Sequence, residues 1–166
     1  MYKRQTYESE RVPHVQKYID TAIKLGGLIN ATDPTNAFER SKKNTKNGTT
    51  MKSLYPELGI GLGSFLGSNL KKHRGLIASQ PRLSKNQLMD DLSGYKSVFI
   101  SRSPIKGLLT NISELPFLCI DTIAEPGLNQ FLDDLSVEAV LIRPDRYILG
   151  TAKSFDEQEA LISIRY

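Results

Sequence analysis

Cysteine, histidine and paired carboxylates are the side chains from which a catalytic or metal centre is built, and here their spacing serves none. The single cysteine, Cys119, lies in the apolar run Phe117-Leu118-Cys119-Ile120. A thiol there reads as a small, inert core residue. One cysteine also excludes an intramolecular disulfide framework and any cysteine-cluster zinc or iron–sulfur site. His14 and His73 are far apart in the chain and leave little for a metal. Asp90-Asp91 and Asp133-Asp134 are adjacent pairs, and neighbouring side chains diverge on any regular element, so they make poor acid/base dyads. The second pair reads as a solvated helix face. No serine sits in a nucleophile elbow and neither histidine has an obvious partner. Gly59, Gly61, Gly63 and Gly67 invite a phosphate-loop reading. No glycine at position 64 completes GxGxxG, and no Gly-Lys-Ser/Thr follows, so a close-packed loop is the better reading. Residue chemistry alone assigns no catalytic, cofactor-binding or metal-ligating residue to this chain.

The elements that carry these residues are legible from spacing. Thr6 is an N-cap for a helix whose apolar positions are Val12, Val15, Ile19, Ala22 and Ile23. Pro13 is expected to kink it or to mark a boundary near Val12. Gly26-Gly27 is expected to end it. Residues 30–75 read as an irregular connector with turn signals at Asp33-Pro34, Asn47-Gly48 and Tyr55-Pro56. From residue 76 the pattern sharpens. Strands are expected over 95–100, 117–120, 139–142 and 147–150, with Pro144-Asp145-Arg146 turning the last two into an antiparallel hairpin. Helices are expected over 104–111 and 127–135. Ser154 with Glu157 forms a capping box that opens a last helix.

Strand, helix, strand, helix, strand, turn, strand, helix is an α/β order. It predicts a thioredoxin-like mixed sheet with helices on both faces, preceded by an N-terminal helix and a long irregular connector. Redox chemistry in such a fold needs a thiolate at a helix N-terminus. The turn after the first strand is instead Ser101-Arg102-Ser103-Pro104.

Composition sets the outer bounds. The chain has 166 residues, 39% hydrophobic and 24% charged, which suits one domain with or without an appendage. Its longest apolar runs are only a few residues, so no membrane partner is expected. No secretory leader is read at the N-terminus, and the expected compartment is a reducing cytoplasm. The net charge of +4 is unevenly spread: residues 39–94 carry ten Lys+Arg against four Asp+Glu, whereas residues 95–166 carry seven against ten. Lys42, Lys43, Lys46 and Lys52 have almost no aromatics between them. A nucleic-acid platform interleaves the two, so a solvated loop is preferred and no nucleic-acid partner is expected.

Several segments together resemble a family. Thr6-Tyr7-Glu8-Ser9-Glu10-Arg11-Val12-Pro13-His14 is similar to the TYexERxPH stretch of FAD-dependent aromatic-ring monooxygenases. Gly75-Leu76-Ile77-Ala78-Ser79-Gln80-Pro81-Arg82-Leu83 resembles the family's Pro-Gln-Pro segment, with Ser79 in place of the first proline. Leu88-Met89-Asp90-Asp91-Leu92-Ser93-Gly94-Tyr95 through Ile100 resembles the stretch that opens the family's C-terminal domain. Ala139 through Ile148, with Arg143-Pro144-Asp145-Arg146, resembles the RPDR signature near its end, in the manner of 3-(3-hydroxyphenyl)propionate hydroxylase and phenol hydroxylase.

The resemblance implies that residues 1–29 are the tail of an FAD- and substrate-binding domain, 30–75 a connector, and 76–166 a thioredoxin-like C-terminal domain lacking redox cysteines. It implies a parent enzyme that hydroxylates a phenolic compound with FAD, NAD(P)H and O₂. The FAD fingerprint of the family lies upstream of Tyr7 and does not occur here, so neither cofactor is expected on this chain. The expected partners are the missing N-terminal FAD domain and a second copy in a homodimer. Asp90, Asp91, Gly94, Arg143, Pro144 and Asp145 are structural motif residues. Arg143 to Asp145 would set the strand-to-strand turn, with Arg143 alternatively binding an acidic group on another domain. Arg11 and His14, one turn apart on the first helix, would face the flavin-bearing domain or solvent. A free-standing non-redox interaction module is the alternative function.

Overall fold

A computed structural model describes residues 3–29, 55–59, 66–104 and 117–164. The order is helix α1 (Lys3–Ile29), helix α2 (Met89–Ser93), strands β1 (Ser97–Ser101) and β2 (Phe117–Asp121), helix α3 (Leu128–Leu135), strands β3 (Ala139–Ile142) and β4 (Ile148–Ala152), and helix α4 (Phe155–Ile162). The helix expected over 104–111, the glycines at 61 and 63, and the lysines of residues 42–52 lie outside the described residues.

The fold is mixed α/β. One four-stranded sheet has the order β2-β1-β3-β4. β1 and β2 are parallel, with Phe99 opposite Cys119. β3 runs antiparallel to both β1 and β4. Alternation along the strands loads the two faces separately. Val98, Ile100, Val140 and Ile142 face one apolar cluster, which α3 completes with Leu128, Phe131 and Leu132. Phe99, Ala139 and Leu141 face the other, which α4 completes with Leu161 and Ile162. Helices therefore cover both faces, as the element order predicts.

Two capping details anchor the helices. Glu157 N–H donates to Ser154 Oγ at 3.2 Å. The Glu157 carboxylate reaches one residue further back than a capping box requires and accepts from Lys153 N–H at 2.7 Å. Asp91 Oδ2 accepts from Leu88 N–H at 3.1 Å and closes the start of α2.

Tyr95 belongs to a turn rather than to β1 and is 96% exposed. Helix α1 differs more from expectation. It begins before Thr6, because Lys3, Arg4 and Gln5 are all good helix formers. It runs through Pro13 and through Gly26-Gly27. The described glycines with positive φ, the conformation a helix-ending glycine adopts, are Gly75 and Gly94. Pro13 cannot donate to the carbonyl of Ser9, which loosens the turn there. The next carbonyl, that of Glu10, accepts from Gly59 N–H at 2.9 Å.

That bond is the end of a ladder. Ile148 N–H donates to Leu76 O at 2.8 Å, and Gly75 N–H donates to Ile148 O at 2.9 Å. Ala78 N–H donates to Arg146 O at 2.8 Å, so residues 75–78 lie antiparallel along the start of β4. Leu58 N–H then donates to Gly75 O at 2.9 Å. Gly75 has φ +81°, and a Cβ there would lie 2.9 Å from Leu58 O, so the close approach requires glycine. A Cβ on Gly59 would meet Ser9 O at 2.0 Å. The sheet, residues 58–59 and α1 are thereby stitched together through main-chain atoms. Leu66 and Leu70, in the segment read as a connector, are buried in the α4-side core.

Candidate functional site

The β3–β4 turn is where the motif residues meet. Arg146 N–H donates to Arg143 O at 3.0 Å and Arg143 N–H to Tyr147 O at 2.9 Å, closing the turn around Pro144 and Asp145. Arg146 has φ +67°, a conformation that costs a residue with a Cβ on the order of 1–2 kcal/mol. Its guanidinium offsets that cost. Nε lies 2.5 Å from Asp90 Oδ1, and Nη2 donates to Ser93 Oγ at 2.9 Å and to the Gly94 carbonyl. The Asp90 contact is an ion pair and not an aligned hydrogen bond, and Arg146 Nη1 is buried without a hydrogen-bond partner among the described residues. Gly94, at φ +53°, turns its carbonyl toward Arg146. Asp90 thus ties α2 to the hairpin, while Asp91 points back to its own helix start.

The other side of the turn binds α1. Arg143 Nη1 lies 2.7 Å from Glu10 Oε1, and Nη2 lies 3.0 Å from Asp145 Oδ2. Burial opposes the charge on Arg143, but its hydrogen bond to Glu10 and the charges of Asp145 and Glu10 outweigh that, so its pKa is raised. Arg143 therefore both fixes the turn and binds an acidic group on another element, and that group is Glu10, only 5% exposed. Arg11 Nη2 lies 3.7 Å from Asp145 Oδ2, and its guanidinium carbon lies 5.5 Å from the centre of the Tyr147 ring. His14 Nε2 lies 3.2 Å from Tyr147 Oη. Its ring packs edge-on against Tyr18 and Tyr147. Arg11 and His14 face the hairpin of the same chain rather than solvent, because the hairpin supplies a carboxylate and a phenol that match them.

Burial, and then the charges of Arg11 and Lys17, lower the pKa of His14, so its ring is neutral at pH 7. Its role is that of a packed, hydrogen-bonded ring. The space between Glu10, Leu58, Gly75 and Arg143 measures about 10 Å³, room for at most about one water molecule. A shallow open groove of about 470 Å³ lies on the outer side of the turn, lined by Asp90, Gly94, Tyr95, Pro144, Asp145 and Arg146.

Elsewhere the chemistry is quiet. Burial pushes the Cys119 thiol up to about 11, so it is protonated and unreactive at neutral pH. The exit of β1 is satisfied internally: Ser101 Oγ donates to Gln158 at 2.9 Å and accepts from Ser103 N–H at 3.0 Å. Asp133 pairs with Arg102 at 2.8 Å, and Asp134 accepts from Gln130 at 2.7 Å, so that pair diverges. Among the described residues no cluster of three His, Cys, Asp or Glu side chains could hold a metal ion. No described helix is long and apolar enough to cross a membrane.

Sequence reasoning missed Glu10, Arg146 and Tyr147 as members of the site. The available signal was the helical spacing of Glu10 and His14, which puts both opposite the Val12, Ile19 and Ile23 stripe. The fold, the clasp at the turn and the two quiet sulfur and hydroxyl positions are what the chain itself supplies, since no family model and no curated protein matches it.

Proposed function

We propose that this chain is a structural, C-terminal-type unit of a flavin-dependent monooxygenase acting on a phenolic substrate, and that it catalyses nothing alone. The single observation that carries the reading is the Glu10–Arg143 ion pair at 2.7 Å. It joins the first and last of the segments that resemble the monooxygenase family, 133 residues apart. The Asp90–Arg146 pair brings in a third such segment. The strand order β2-β1-β3-β4 with β3 antiparallel to its neighbours supports a thioredoxin-like sheet. The serines at the β1 exit and the raised Cys119 pKa support its being a non-redox one.

The groove at the turn does not fit FAD. It presents the carboxylates of Asp90 and Asp145, and its one guanidinium already holds Asp90. A pyrophosphate would meet repulsion there. On this reading flavin and NAD(P)H binding belong upstream of Tyr7, as the family resemblance implies, and no reaction step is assigned to this chain. Sequencing the transcript tests this. An open frame continuing upstream of Met1 into a GxGxxG fingerprint is the expected result, and an in-frame stop just upstream sinks the reading. Titration of the purified chain with FAD is expected to leave flavin fluorescence unquenched.

A second reading, a free-standing interaction module, is favoured by the exposed apolar stripe of α1. Val12, Val15, Ile19 and Ile23 are all exposed, which is unusual for four helically spaced apolar residues.

A further inference from the structure

Helix α1 is mounted with its polar side inward. Glu10 and His14 are buried against the hairpin while Val12, Val15, Ile19 and Ile23 face outward. The bonds that hold it there are polar: Glu10 to Arg143, Arg11 to Asp145, His14 to Tyr147, and Gly59 N–H to the Glu10 carbonyl. Such bonds respond to charge in a way that an apolar contact does not. We propose that α1 is a proton-released arm: protonation of His14 frees the helix from the hairpin while the sheet stays folded.

The surroundings of His14 make a charged ring there costly. Its own helix presents Arg11 and Lys17 on either side, with Tyr18 against the ring. The hairpin presents Tyr147 to the ring, with the Arg143–Asp145 pair in the adjoining turn. The carboxylates of the clasp are held by arginines, Glu10 by Arg143 and Asp145 by Arg143 and Arg11. Tyr147 offers a neutral hydroxyl. A proton on His14 thus adds a desolvated cation beside two others, Arg11 and Lys17, and release returns that cation to water. The lowered pKa of His14 has the same sign. Each unit by which docked His14 titrates below the free residue shifts the docked-to-released ratio by about tenfold at low pH.

The Gly59 amide reports docking directly, because it donates to Glu10, and the β1 amides of Val98 to Ile100 report the sheet. Hydrogen exchange of the full chain at about pH 7.5 and about pH 5, corrected for intrinsic rates, separates the two. Gly59 protection is expected to fall at least several-fold on acidification with β1 unchanged. His14→Gln is expected to abolish that pH dependence and His73→Gln to preserve it. Equal loss at Gly59 and β1, no change at Gly59, or a persisting pH dependence in His14→Gln overturns the proposal. The ring proton resonances of His14 in the unaltered chain give a measurement that needs no variant. Titration below the free histidine value of about 6.5 supports release, and titration at or above it overturns it.

Discussion

Phe99 and Leu141 are enclosed by apolar neighbours in the sheet's interior, whereas Glu10 and His14, nearly as deeply buried, meet charges, a phenol and a main-chain amide. The first kind of contact is non-directional and proportional to area, so it tolerates small shifts. The second depends on partners being present and correctly charged, because an unpaired buried ion is strongly penalised. One chain therefore carries a region that fails by losing volume and a region that fails by losing a partner. The hairpin turn belongs to both: Arg146 ties it to α2 on the sheet side, and Arg143 ties it to α1.

The sharpest way to break this contrast is in the core. Phe99→Ala is expected to destabilise the sheet by about 3–5 kcal/mol. Its far-UV melting midpoint should fall by many degrees, and an unchanged midpoint would mean that the core on the α4 side is not as described. Next in size is Arg143→Met. Taking the Arg143 guanidinium away from the buried Glu10 carboxylate is worth about 3–5 kcal/mol at most. Release of α1 re-solvates Glu10, however, so the loss stops at the docking energy. Trypsin cleavage at Lys17 and Lys24 should accelerate while the sheet's melting barely moves, and a large drop in melting would show that the clasp supports the sheet as well. Ser154→Ala removes the N-cap of α4 and is expected to cost about 1 kcal/mol, confined to the sheet region and measurable by urea denaturation.

The smallest effect is the pH dependence from His73, which belongs to the sheet region as His14 belongs to the clasp. Burial, then Lys72 and Lys153, lower its pKa, with a hydrogen bond to the Leu135 backbone acting against them. The unfolded chain thus binds the proton more readily than the folded one, so stability rises with pH. The His73 contribution is present above about pH 6.5 and is lost as pH falls below it. Urea midpoints across that window should decline on acidification, and His73→Gln should flatten the slope. A slope unchanged in that variant would assign the decline to other groups.

The sheet was largely legible in advance because its determinants are local. Contiguous apolar runs such as Val98–Ile100 and Ala139–Ile142 mark strands, and Ser154 with Glu157 marks a helix start, without reference to anything distant. The site was legible only in pieces. Arg143, Asp145, Arg11, His14, Asp90 and Gly94 each stood out, yet nothing in a linear reading shows that they converge. Ion pairs across 133 residues leave no period. Helix α1 was legible on one side only: the Val12, Val15, Ile19 and Ile23 stripe marks its apolar face, but nothing in the spacing shows that the opposite, polar face is the one that docks. Propensity also lost to context at Pro13 and at Gly26-Gly27, where the helix continues through residues that weaken a helix without forbidding it.

The bonds described between α1 and the hairpin leave from one helical turn, Glu10 to His14, in a helix that runs from Lys3 to Ile29. Mechanically, that turn is a fulcrum set a third of the way along a rod. The longer arm, His14 to Ile29, extends about 22 Å at 1.5 Å per residue. A tilt of roughly ten degrees at the fulcrum sweeps its tip through about 4 Å by that same geometry. Changes of a few tenths of an ångström at Arg143 or Tyr147 are therefore magnified at the far end of the helix.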